Sequence, residues 1–445
     1  MDCNPLSQFS QQLFAFFTQP EDESAGDAGA VAPLRLRRCG EIIRYHNENL
    51  AEQGDLSLAA TSRYWQNFAK RQGRGLRRDM DVLLPGEEQR QELVRQSKEW
   101  RFPLCEITLL HKERYALHFQ RRPIIDYVLK AVLIQGADYG RPQKTEHSPT
   151  MCLRLQAEAG ATDGSQELRF YRLQQLYQIM LRLVDYSPWR LVEAKDQKED
   201  TLFVNVELQK CSQMETKNHV CLVSGPVLEP VKKTATAMVL DNYLEMRSMH
   251  MRLMAMHRNG IRPAGLCNID VLMKRLGAAA VIVDLFEVRH ATAASVVRNG
   301  LGSSKGASYI LYNSARLETL LRTFGGQVHA GVYEPLPPLG EIDLRVLEDD
   351  MDWQLIYGYL LTFPELLESL MDQVKQGQCG VHLLVRFIDS LASTFSRYYR
   401  HKKVLVQKRD QLMPILYARI YLIMAVRQIM NVALSLLGIE PVDYV

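Results

Sequence analysis

Apolar residues recur along this chain at helical spacing, at strand spacing or without order, and the changes of rhythm divide it into regions. Leu6, Phe9, Leu13, Phe16 and Phe17 make one stripe and predict a short helix. Residues 20–33 are acidic and rich in Gly and Ala, predicting a mobile linker. Charges dominate residues 34–98 with mostly helical spacing, residues 100–110 have strand character, and residues 114–135 return to helical spacing. Strand-like and helix-like runs then alternate at 151–155, 168–184, 201–208, 220–224 and 243–257, the rhythm of an α/β unit. After Gly306 the spacing is that of long amphipathic helices, with breaks at residues 325–340 and 376–380, predicting an all-helical bundle.

Two of those helices carry candidate chemistry. Over residues 381–404, Leu384, Phe387, Ile388, Leu391, Phe395 and Tyr398 share a buried face, while Arg386, Arg397 and Arg400 fall within roughly 60° of one another on the opposite side. Lys402, Lys403, Lys408 and Arg409 follow, completing a basic ridge beside Tyr398 and Tyr399. In the helix after Gly306, Tyr309, Tyr312 and Arg316 share a face. Unstacked bases of a single-stranded RNA loop stack on aromatic rings and bond to guanidinium, which suits this trio, and the ridge suits phosphates. The bland alternative packs both tyrosines in the bundle, pairs Arg316 with Glu318 or with one of Asp349, Asp350 and Asp352, and leaves the ridge as a solvated face. Arg419 and Arg427 interrupt the apolar final helix, where each must reach water, an acid or a phosphate. Gly438 and Pro441 predict the stop of that helix. Near the N-terminus, Tyr64, Trp65 and Phe68 precede Lys70, Arg71, Arg74, Arg77 and Arg78, either a second RNA patch or a surface loop over core aromatics.

Composition narrows the classes. A net charge of +3 over 445 residues rules out bulk attraction to nucleic acid, so a polyanion has to be met by a local patch. The eight cysteines are scattered singly, without a C-x-x-C, and predict reduced thiols rather than a zinc site. His250 and His257 sit on a Met-rich helix without a third ligand and predict packing, not metal binding; no cofactor is expected. The N-terminus has no secretory pattern, and the most apolar run is broken by Arg419 and Arg427, so a cytoplasmic protein without a membrane span is expected. Ser224-Gly225 and Ser303-Ser304 have no adjacent general base in sequence and predict turn or helix-start residues, so no nucleophile is assigned.

Three blocks resemble the arginyl-tRNA synthetases in order along the chain. Tyr115-Ala116-Leu117-His118-Phe119 leads to Gly136-Ala137-Asp138-Tyr139-Gly140-Arg141; residues 305–317 resemble the Tyr-x-x-Tyr-x-x-x-Arg helix that opens the DALR anticodon-binding domain; and Trp353, Phe363-Pro364-Glu365, Phe395-Ser396-Arg397-Tyr398-Tyr399 and the final helix follow. The resemblance spans residues 113–445 and is dense after 305. The class I His-x-Gly-His signature is absent: the matching stretch is Leu168-Arg169-Phe170-Tyr171-Arg172-Leu173, with arginines in place of both imidazoles and Tyr171 where glycine admits adenine. The second nucleotide-gripping loop matches Val231-Lys232-Lys233-Thr234-Ala235-Thr236, which keeps two lysines and loses the motif.

This combination resembles the non-synthetase DALR anticodon-binding domain proteins of animals. The resemblance implies a degenerate class I synthetase-like α/β body followed by a C-terminal helical-bundle DALR anticodon-binding domain: residues 1–112 an N-terminal extension, 113–300 the α/β domain, 301–445 the DALR domain. It also implies a non-catalytic adaptor that binds arginine tRNAs and presents them to a tRNA 3-methylcytidine methyltransferase. The alternatives are a divergent active arginyl-tRNA synthetase and a helical protein-interaction scaffold without RNA binding. The expected tRNA contacts are Tyr309, Tyr312, Arg316, Arg386, Arg397, Tyr398, Arg400, Lys402, Lys403, Arg419 and Arg427, with Lys70, Arg71, Arg74, Arg77 and Arg78 as a second patch.

Overall fold

A computed structural model describes residues 4–20, 42–77, 81–110, 113–156, 166–193, 200–209, 218–259, 269–296 and 306–442. By packing, the chain separates into two units: Met1–Tyr139, Glu334–Glu365 and Val404–Val426 form the first, and Gly140–Tyr333, Leu366–Lys403 and Arg427–Val445 the second.

The first unit holds a four-stranded antiparallel sheet in the order Ile43–Tyr45, Leu56–Ala59, Arg114–Phe119, Leu104–Leu110. The expected helix Pro5–Phe17 is present, started by Pro5 and by Asn4, whose Oδ1 accepts from the backbone N–H groups of Leu6 and Ser7. Two expectations fail here. Among the described residues of 34–98 the chain is not mostly helical: helices Leu50–Gln53, Ser62–Lys70 and Glu87–Ser97 are interleaved with strands Ile43–Tyr45, Leu56–Ala59 and Arg74–Leu76. Residues 114–119 form a strand and the helix starts only at Arg121, because Tyr115, Leu117 and Phe119 alternate at period two and are buried against Leu104–Leu110. Asp55 ties this sheet to the later segment of the unit. Its carboxylate accepts from the Phe119 amide at 2.7 Å and from Trp353 Nε1 at 2.6 Å, and its carbonyl accepts from Tyr357 at 2.6 Å.

The second unit has a four-stranded parallel sheet in the order His219–Val223, Leu202–Glu207, Thr150–Leu155, Arg190–Leu191, with helix Leu168–Val184 between the third and fourth strands of that order. This is the α/β rhythm expected from the sequence. Helices Leu240–Asn259 and Ile269–Phe286 pack on each other so closely that a Cβ on Gly277 would lie 2.7 Å from the Ser248 amide nitrogen. The pair is pinned by a buried Arg247–Asp284 ion pair at 2.9 Å, to which Tyr243 donates its hydroxyl at 2.7 Å. Helix Ala307–His329 packs against Ile269–Phe286 and against Val381–His401, forming the helical part of the unit. The break expected from Gly325 onward begins later, since the helix carries Gly325 and Gly326 through to His329.

Helix Met413–Leu437 gives its first half to the first unit and its second half to the other. Gly438 stops it as expected: at φ +76° it turns into the left-handed region, and Ile439 N–H bonds back to the Leu434 carbonyl at 3.0 Å. Residues Asp410–Leu437 are long and apolar enough to cross a bilayer, but 72% of that window is buried within the protein.

Candidate nucleic-acid interface

Four residues separate Tyr312 from Arg316, one turn of helix Ala307–His329, which sets the guanidinium over the Tyr312 ring at 4.4 Å from its centroid. Tyr399, from helix Val381–His401, comes to the same guanidinium from the other helix at 4.6 Å. Arg316 thus lies over two rings, a cation–π cluster that fixes a normally flexible side chain at the surface. Tyr399 is 42% exposed, and Tyr309 and Tyr312 are half-buried. Of the acids expected for Arg316, Glu318 pairs with Arg427 at 3.1 Å and Asp350 with Arg121 at 2.6 Å.

Along the outer face of Val381–His401, Arg386, Arg397 and Arg400 are exposed, followed by exposed Lys403 and half-buried Lys402. Arg397 and Arg400 each turn one N–H to their own helix, to Thr394 Oγ1 and to the Ser396 carbonyl, both at 3.3 Å. The opposite face is the expected core: Leu384, Ile388, Leu391 and Phe395 are fully buried. Tyr398, expected as an RNA contact, is instead fully buried with them, and the ring that faces out is Tyr399, one position round the helix. Arg427 is likewise corrected to an ion-pair residue. Arg419 is half-buried in the first unit, on the other half of the final helix.

The N-terminal patch divides. Lys70 and Arg71 are exposed at the end of Ser62–Lys70, whereas Arg74 donates to Thr18 Oγ1 at 3.0 Å and Arg77 to the Thr18 carbonyl at 2.9 Å. Both arginines thereby fasten strand Thr18–Pro20 to its partner Arg74–Leu76. Arg78 lies outside the described residues. Trp65 and Phe68 are core residues and Tyr64 is 48% exposed.

The stretch aligned with the synthetase signature opens helix Leu168–Val184. Arg169 is at the surface, paired with Glu167 at 2.7 Å. Arg172 is fully buried, and its Nη1 donates to the carbonyls of Gly225 at 2.9 Å and Thr292 at 2.8 Å while Nη2 donates to the Arg289 carbonyl at 3.2 Å. Neutral carbonyls take up both Nη groups, Nε has no hydrogen-bond partner among the described residues, and burial depresses the pKa to about 10. The Gly225 turn is closed as well: a Cβ there would lie 2.6 Å from the Thr292 carbonyl oxygen. Lys232 and Lys233 are exposed on a turn next to Val231, itself 89% exposed. Among the described residues no His, Cys, Asp and Glu cluster has the geometry to hold a metal ion; the His257 side chain lies outside the described set.

Sequence reasoning missed His290. It donates from Nδ1 to the Val223 carbonyl at 2.8 Å and accepts the Cys379 amide at Nε2, 3.1 Å away. A lone histidine on an irregular segment carries no periodic signal that marks it.

The family model of the DALR anticodon binding domain matches residues 310–445. DALR anticodon-binding domain-containing protein 3 of Danio rerio is 26% identical over 224 residues, 48% of this chain and 40% of that protein. Its counterpart in Mus musculus is 30% identical over 148 residues, 32% of this chain and 27% of that protein, so the chain matches less than half the length of these relatives. The arginine-tRNA ligase of Pyrococcus abyssi is 34% identical over 139 residues, 31% of this chain and 20% of the enzyme. Among solved structures, the arginyl-tRNA synthetase of Plasmodium falciparum superposes with a TM-score of 0.60 at 10% identity over 100% of both chains. That of Thermus thermophilus superposes at 0.57 and 10% identity, over 91% of this chain and 96% of the enzyme. The protein therefore has the fold of an arginyl-tRNA synthetase, an α/β body with a C-terminal helical region, and residues 310–445 of that region match the DALR anticodon binding domain model.

Proposed function

We propose that this chain is a cytoplasmic, non-catalytic tRNA-binding adaptor that recognises arginine tRNAs and presents them to a 3-methylcytidine tRNA methyltransferase. The observation that carries the RNA part is Arg316 set between Tyr312 and exposed Tyr399 beside the exposed cations Arg386, Arg397, Arg400 and Lys403. Phosphate contacts along the ridge supply affinity and register, and the rings and guanidinium read bases splayed from the anticodon loop. Arg172 supports the non-catalytic part: where the synthetase signature places an imidazole, this chain has a buried arginine whose two Nη groups are held by backbone carbonyls. An arginine so held cannot exchange protons near neutral pH, and the closed Gly225 turn leaves no room beside it. The methyltransferase partner rests on the resemblance to the animal DALR proteins, and it would supply both cofactor and chemistry.

Crosslinking the full chain to RNA in cells and sequencing what is recovered tests the reading; arginine tRNAs should dominate, and a pool without that enrichment overturns it. Arginine-dependent ATP–pyrophosphate exchange should stay at background, and a rate above it would favour a divergent synthetase.

A further inference from the structure

Helix Val381–His401 carries the exposed cations, and the residues just before it hold its start. Two contacts do so on the strand His219–Val223 side of the second unit. Gly377, at φ +73°, presses on Cys221, where an added Cβ would lie 2.7 Å from the carbonyl oxygen. Two residues on, the Cys379 amide donates to His290 Nε2 at 3.1 Å. His290 is 2% exposed, and its backbone carbonyl accepts from Gly225 N–H at 2.7 Å. The carbonyl of that glycine in turn accepts from Arg172 Nη1 at 2.9 Å. Hydrogen bonds thus link the arginine in the signature stretch to the Gly225 turn, that turn to the His290 backbone, and the His290 imidazole to Cys379, two residues before the ridge helix.

The chemistry of the two partners fixes the ring's state. A backbone N–H only donates and a carbonyl only accepts, so Nε2 must carry the lone pair and Nδ1 the proton; the ring works only as this neutral tautomer.

We propose that His290 is a positioning residue for tRNA binding, holding the start of Val381–His401 so that Tyr399 meets Arg316 and the ridge arginines keep their register on the RNA. The inference rests on the tRNA-binding reading above and gives the signature region a role in place of nucleotide binding: it is the anchor of the anticodon-binding helix.

Asparagine and glutamine at position 290 separate the two bonds of the ring. Asn places its amide near Nδ1 and can still donate to Val223, but leaves Cys379 N–H without an acceptor; Gln reaches the Nε2 position and restores that acceptor. With the full chain and a transcribed arginine tRNA, His290→Asn should weaken binding roughly five- to tenfold, the scale of one missing buried hydrogen bond. The slope of affinity against salt should not change, because every phosphate keeps its cation. His290→Gln should bind within about twofold of wild type. Amide hydrogen exchange at residues 379–384 should rise in the Asn variant only. Equal behaviour of the two variants, in binding or in exchange, overturns the proposal, as does a changed salt slope in His290→Asn. Should the wild-type chain bind no tRNA at all, the tRNA reading falls and the functional half of this inference with it. That outcome is recognisable on its own, since the exchange contrast needs no RNA.

Discussion

Tyr398 and Tyr399 are neighbours in the chain with opposite duties. One is a fully buried member of the helix core and the other a 42% exposed ring over Arg316. Removing the outer ring should therefore cost tRNA affinity alone: Tyr399→Ala is expected to lose about 1–3 kcal/mol of binding, the worth of one stacked base, with its thermal midpoint near wild type. Tyr398→Ala should do the reverse, destabilising the fold by about 3–5 kcal/mol through the cavity left behind. Binding isotherms and thermal unfolding on the same two proteins check both. His290 makes a second prediction at this scale. Burial, then the nearby Arg172 charge, lower its pKa below 6.5 against the opposing pull of the Val223 bond. Arg172, Arg289, His382 and Arg386 surround the joint, and no carboxylate is among the groups that shift either histidine. The unfolded chain gains a proton on this ring below pH 6.5 before the folded chain does. Stability should thus fall as pH drops through 6.5, by up to about 1.4 kcal/mol per pH unit from this group, until the folded ring also protonates. His290→Gln should show a shallower loss between pH 7 and 5.5 by thermal unfolding.

At the scale of the element, Val381–His401 is a single helix with a dry face and a cationic one, and three- and four-residue spacing alone assigns its residues to each. Its outer arginines act by charge, so they should be measurable by salt. Reversing Arg397 and Arg400 to glutamate together should weaken tRNA binding and lower the slope of log affinity against log salt by about 0.7–0.9 for each phosphate no longer neutralised. An unchanged slope would mean that this face does not meet the backbone of the RNA. The final helix shows the limit of the same logic. Arg419 and Arg427 look alike in sequence, each a cation in an apolar run, yet only the partner on another helix determines that Arg427 is an ion-pair residue.

At the scale of the whole molecule, a synthetase-like fold holds a buried arginine in the stretch that resembles the signature. Arg172 holds together carbonyls from the Gly225 turn and the 289–292 segment. Arg172→Met should destabilise the chain by about 2–5 kcal/mol, because the Gly225 and Thr292 carbonyls lose this donor in a dry site, and denaturant unfolding would show it. A near-neutral effect would mean that the guanidinium is incidental to the fold. The same substitution should weaken tRNA binding only as far as it loosens the His290 joint.

The sequence by itself determined the elements whose signal is local: the α/β alternation, the long C-terminal helices with their core stripe and basic ridge, and the glycine stop at Gly438, each written in the spacing or conformational freedom of residues within a few turns. Where two periods competed over short spans, as at residues 114–119, the helical reading lost to a strand that its neighbour buries. Only the tertiary structure decided which cations face outward and which are spent inside the protein. The Arg427–Glu318 pair joins residues 109 apart, and the Arg172 bond to Thr292 joins residues 120 apart. Arg316 finds its second ring on another helix, and His290 finds both its partners on other segments. Such contacts leave no mark in the local pattern, because a charge or an imidazole is placed by whatever the fold brings against it and not by its own neighbours in the chain.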